Sequence, residues 1–211
     1  MRKIGMWVAV LLATALLAGS AWLGYKEWEK QKQIDGMRPY VKAASLHAAG
    51  YFSATAQPNA TFGEVLRKGE QLLEKIDQSV IDLRALSGPV ALPQETAALG
   101  YMAELQALAR DLTRYYRGRM QARTALKGAE RARGDIADAG SSYGVQAALK
   151  SMSESVEEAE RERIASEQAH KAACDRLPGL EKLAAAVGAA FGQEVRIAQD
   201  QVRDLERWCA E

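Results

Sequence analysis

Between Lys3 and Lys26 the chain carries no charged side chain, an uncharged run of 22 residues from Ile4 to Tyr25. A helix rising 1.5 Å per residue covers about 33 Å over that length, enough to cross a hydrocarbon core roughly 30 Å thick. A charge at mid-bilayer would cost several kcal/mol, and the run contains none. Trp7, Trp22, Tyr25 and Trp28 stand near its two ends, where amphipathic rings favour the membrane interface. The competing reading is a cleaved signal peptide, since Ala18 and Ser20 are small residues placed as a −3/−1 cleavage pair. Apolar character continues through Trp22 and Leu23, beyond the h-region of a typical signal peptide, which favours a retained anchor. No Cys follows the run, so a lipoprotein anchor is excluded.

The expectation is therefore a single-pass protein of the bacterial inner membrane. Arg2 and Lys3 hold the N-terminus in the cytoplasm and the bulk of the chain lies in the periplasm, although Lys26, Lys30 and Lys32 weaken the asymmetry. Residues 1–25 form the anchor, 26–38 a polar juxtamembrane linker broken by Gly36 and Pro39, and 39–211 an exported helical bundle. Beyond Lys3 the chain has 26 basic and 27 acidic residues. That balance excludes the basic excess on which a dedicated nucleic-acid binder depends. Hydrophobic residues make up 48% of the sequence, ample for a buried core.

The fold class follows from periodicity. Aromatic residues are few, Ala and Glu are abundant, and no run alternates strictly between apolar and polar residues, so helices are expected and strands are not. A first short helix covers Pro39 to Ala56, with Val41, Ala44, Ala48, Tyr51 and Phe52 on one face. After a loop at Gln57–Ala60, Thr61 and Glu64 make a capping box. Apolar residues then recur at spacings of three and four from Phe62 to Leu83, the cleanest amphipathic helix in the chain. Asn59 begins an Asn-x-Thr sequon whose Thr is accounted for by capping.

A third helix is expected from about Pro93 to Lys127 or a little beyond, and a break at Gly134–Gly144. The fourth, Val145 to Leu177, carries Leu149, Met152, Val156, Ala159 and Ala173 as its apolar face. Pro178 and Gly179 then read as a tight turn. From Phe191 the spacings to Val195, Ala198, Val202, Leu205 and Cys209 alternate four and three, a heptad seam on a fifth helix. Short connections imply antiparallel neighbours, so the expected architecture is all-α: one transmembrane helix followed by an elongated antiparallel bundle of four to five helices.

Two charge stripes stand out. Residues Arg110 to Arg133 carry a local net of +6, and Ser153 to Glu167 a net of −4. Arg114, Arg117, Arg119 and Arg123 are candidate contacts for an anion or a partner. The structural alternative folds the third and fourth helices about Gly140, which brings Arg117 near Glu162 and lets the stripes select helix partners. On that account, reversing Arg117, Arg119 and Arg123 to Glu destabilises the bundle.

Catalytic chemistry has little to work with. Glu167 and His170 make one Glu-x-x-His, but the second that a di-iron centre needs is missing, because Ala44 stands three before His47. Cys174, Cys209, His47 and His170 have the composition of a zinc site without the usual ligand spacing. No phosphate loop, nucleophile elbow or Cys-x-x-Cys is present. No catalytic residue, metal or cofactor is expected. Cys174 and Cys209, if exported, meet an oxidising compartment. On a straight fifth helix they would lie roughly 40 Å apart, so an intrachain bridge requires a fold-back near Gly188 or Gly192. Otherwise an interchain disulfide through Cys174 or Cys209 would make a covalent homodimer. The functional expectation is a non-enzymatic scaffold, adaptor or assembly factor that binds another protein or itself, with a sensory or small-ligand-binding bundle as the alternative.

Overall fold

The computed structural model describes residues 2–55, 60–88 and 92–210, with side chains from Trp22 onward. The expected membrane segment falls largely on side chains outside the described residues, as do Asn59 and Pro89. Among the described residues no helix is long and apolar enough to cross a membrane. Among the described residues there are five α-helices, a 3-10 turn and no strand: α1 Arg2–Thr55, α2 Phe62–Ala85, α3 Pro93–Asp138, α4 Ser142–Phe191, the 3-10 turn Gln193–Val195, and α5 Gln199–Ala210.

Two of the expected breaks are not breaks. The supposed linker 26–38 is part of α1, which runs through Gly36 and Pro39 without interruption. Pro39 removes one helical hydrogen bond, but its ring is exposed while Ile34, Met37 and Val41 on either side are buried in the core. Core burial, at about 25 cal/mol per Å2 of apolar surface, outweighs the loss. α4 likewise continues through Pro178, whose ring is exposed between the buried Leu177 and Leu180. The chain reverses instead at Gly192, whose φ of 107° is open only to glycine. The seam read from Phe191 to Cys209 is thereby split between α4, the 3-10 turn and α5.

α1 and α2 form an antiparallel hairpin, and α3 runs alongside α1. Gln33 reaches the Leu86 carbonyl at one end of the hairpin, and the Tyr116 hydroxyl donates to the Thr55 carbonyl at the other. Thr61 caps α2 as expected, accepting from the Glu64 amide. A single core joins α1, α2, the first half of α3, the second half of α4, and α5. From Trp22 to Lys32 every α1 side chain is exposed, so α1 leaves the bundle as a bare stalk. Lys26 lies over the Trp22 ring at 4.0 Å and Lys32 over Trp28 at 5.3 Å.

Two buried hydroxyl relays tie the layers together. The Ile197 amide donates to the Tyr101 hydroxyl at 2.9 Å, and Ser45 donates to the Val41 carbonyl at 3.1 Å. With Ser45 thus committed, the 3.0 Å contact between Tyr101 and Ser45 has Tyr101 as donor. By the same logic Thr113 donates to the Ala109 carbonyl and accepts from Tyr51. Burial raises the pKa of both tyrosines, which keeps them protonated donors.

Candidate interaction surface

α3 outlasts the hairpin it packs against. Past Tyr116, which touches Thr55 and Phe62, the 20 residues from Arg119 to Asp138 extend about 30 Å further. α4 returns beside them from the Ser141 cap, whose hydroxyl accepts from the Gly144 amide. This two-helix arm is held by small residues. Ala125, Ala129 and Ala132 of α3 are buried against α4, as are Ala148, Ala159 and Ser166 against α3. A Cβ on Gly118 would stand 3.0 Å from the Glu162 carbonyl and 3.0 Å from the Ser166 Cβ. The seam therefore depends on having almost no side chain, and the helices lie close.

Because the seam is Ala, Ser and Gly, the larger apolar residues of the arm lie outside it. Leu149 and Val156, expected in the core of the fourth helix, are 45% and 49% exposed, and Leu126 is 51% exposed. In the arm the core face of α4 is set by Ala148, Ala159 and Ser166, which small-residue packing selects in preference to bulk. Leu126 and Val156 meet Ala122, Ala159 and the ring of Phe62 in a groove of about 460 Å3. Phe62, the first residue of α2, closes its lower end. On α3 this groove continues the face that α1 and α2 cover lower down, since Leu105, Leu112, Arg119 and Leu126 succeed one another at intervals of seven.

The charge stripes do not pair as expected. α3 and α4 do fold about Gly140, and Gly118 does lie against Glu162. Among the described residues, however, no ion pair joins Arg114, Arg117, Arg119 or Arg123 to the acidic stripe of α4. Arg114 is exposed and reaches Asp111 on its own helix at 3.7 Å. Arg117 turns to Glu70 of α2 at 3.0 Å. Arg119 and Arg123 line the groove, with no ion pair among the described residues. Across the groove Arg163 is held protonated by Glu160 and Glu167 of its own helix. The salt bridges that do join α3 to α4 lie lower, where Arg176 meets Asp111 at 2.7 Å and Glu104 at 3.4 Å. Nothing in the sequence pattern singled out Arg176. Its partners lie 65 and 72 residues away.

The two cysteines are joined within the chain, with Cα atoms 5.7 Å apart, and no free thiol remains. This corrects the expectation of an interchain disulfide: Gly192 folds α5 back along α4, which brings Cys209 beside Cys174. The bridge clamps α5 next to an aromatic cluster in which Trp208 packs edge-on to Tyr115 at 5.2 Å and against His170 at 4.3 Å. His170 also lies 3.4 Å from the Trp208 carbonyl. Tyr115 packs against His170 and Trp208, and Tyr116 against Phe62. His47 is on α1 and is not brought to His170 or the cysteines. Among the described residues no group of His, Cys, Asp or Glu is placed to hold a metal.

Comparison with protein-family models, with curated proteins and with solved structures found no match.

Proposed function

We propose that this chain is a membrane-anchored periplasmic scaffold or adaptor, non-enzymatic, that works by binding another protein through the α3–α4 arm. The observation that carries this reading is the arm itself. It extends about 30 Å beyond the α1–α2 hairpin, exposes Leu126, Leu149 and Val156, and leaves Arg119 and Arg123 without ion pairs among the described residues. Arrangements of that kind do little for the stability of the bundle below and suit a surface kept for contact. The uncharged run Ile4–Tyr25 supports the anchored location, and the exposed stalk from Trp22 to Lys32 would hold the bundle clear of the lipid.

The test is to shorten the arm. By the register of Gly118 with Glu162 and Gly128 with Ser155, joining Arg123 to Ala159 through a short Gly-Ser turn removes the distal part and leaves the core intact. The expected result is a folded, membrane-retained protein with its disulfide formed that no longer co-purifies with its partner. A shortened protein that keeps its partner would refute the arm as the working surface. Recovery of the full chain in the soluble fraction would refute the anchor.

A further inference from the structure

We infer that the groove at the base of the arm receives an amphipathic helix of the partner protein, apolar along one stripe and bearing carboxylates toward Arg119 and Arg123. The inference rests on the arm being the working surface and adds the chemistry of what sits there. Its first support is the lower half of the same α3 face. There α1 is the occupant: Leu105 and Leu112 are buried in the core, Tyr101 one turn before Leu105 meets Ser45 of α1, and Tyr116 one turn past Leu112 donates to Thr55. α1 ends at Thr55, whereas the α3 face goes on through Ala122 and Leu126. Arg119 and Arg123 lie on this uncovered continuation and have no ion pair among the described residues.

The second support is charge. Two guanidiniums at the rim of an apolar groove, unpaired among the described residues while the groove's own Glu160 is tied to Arg163, complement an acidic flank and repel a basic one. The third is extent. Val156 lines the groove, and the exposed Leu149 lies two turns further along α4, so the apolar stripe is longer than the groove alone, as a helix laid in a channel requires.

A second copy of this chain fits less well. If two grooves packed face to face with both anchors in one membrane, the α1–α2 hairpins would occupy the same space below Phe62. With the copies reversed, each α3 would oppose its own basic stripe in the partner.

The experiment places p-benzoylphenylalanine at Leu126 in the full chain in its native membrane, and separately at Ile81, an exposed residue of α2. The expected result is a protein adduct at Leu126 that maps by mass spectrometry to an amphipathic helix carrying carboxylates. Arg119→Glu with Arg123→Glu should cut its yield about tenfold. A partner adduct at Ile81 with none at Leu126 overturns this inference and the arm as the working surface, leaving only an adaptor that binds elsewhere. No protein adduct at either position overturns both. An adduct of two copies of this chain, of lipid, or of a segment without carboxylates overturns the inference, as does a yield indifferent to the arginine reversal.

Discussion

Replacing both Cys174 and Cys209 by Ser opens the covalent loop that keeps α5 folded back on α4. The bridge spans 35 residues of sequence. In the chain-entropy account a closed loop of that size stabilises the native state by roughly 4 kcal/mol, through the conformations it denies the unfolded chain. For a chain of this length that corresponds to a fall in Tm of about 8–16 °C. The loss should also be felt locally. Val202 and Leu205 still bury their side chains and Ile197 still donates to Tyr101, so the start of α5 stays docked. Its end loses the one covalent tie and loosens the packing of Trp208 on Tyr115 and His170. Chemical denaturation measures the global term, and hydrogen exchange resolved along α5 measures the local one. Reduced wild-type protein should behave like the double variant in both. A stability loss below about 1 kcal/mol would show that the bridge does not constrain the unfolded chain as loop closure requires. Unchanged protection at Trp208 and Cys209 would show that packing alone seats the end of α5.

Other expectations follow from the same contacts. Tyr101→Phe leaves the buried Ile197 amide without its acceptor and should cost about 1–3 kcal/mol, read as a shifted denaturation midpoint. Gly69→Ala would set a Cβ 2.5 Å from Thr113 Oγ1 and 3.0 Å from Tyr51 Oη, two atoms held by each other and by Ala109. It should destabilise by about 1–3 kcal/mol, whereas Gly50→Ala, with nothing within 4 Å, should stabilise by about 0.5–1 kcal/mol. Arg119→Glu with Arg123→Glu breaks no ion pair and should leave stability within about 0.5 kcal/mol. A large loss would restore the helix-pairing account of the basic stripe. His47 has its pKa lowered from 6.5, by burial first and by Lys75 second, so below about pH 6.5 the unfolded chain binds more protons there than the folded one. Stability contributed by neutral His47 is then present above pH 6.5 and lost as pH falls below it through the lower folded pKa. An NMR titration of His47 with its midpoint at or above 6.5 would contradict this.

Local periodicity was enough to establish the helices themselves. The spacing of Val65, Leu72 and Ile76, the Thr61 cap, and the Gly140 turn are short-range patterns, and each stands in the structure where the sequence puts it. The basic run that contains Arg119 and Arg123 was also legible, because like charge is visible without knowing the fold. What periodicity does not carry is which helix covers which face. Pro39 and Pro178 read as ends because a proline breaks its own hydrogen bond. Whether a helix survives depends on the burial of Ile34, Met37, Val41, Leu177 and Leu180 around it, a tertiary quantity. Val156 and Leu149 read as core because they are apolar. They are exposed because the neighbouring helix approaches so closely, through Gly118 and the alanines, that only small side chains fit between. The groove, the Arg176 link and the 174–209 bridge depend on residues tens of positions apart. Composition and local pattern suffice to make the chain helical, apolar at its start and balanced in charge. Which apolar and charged residues remain uncovered is set by how the helices pack on one another, because exposure is not a property of any one of them.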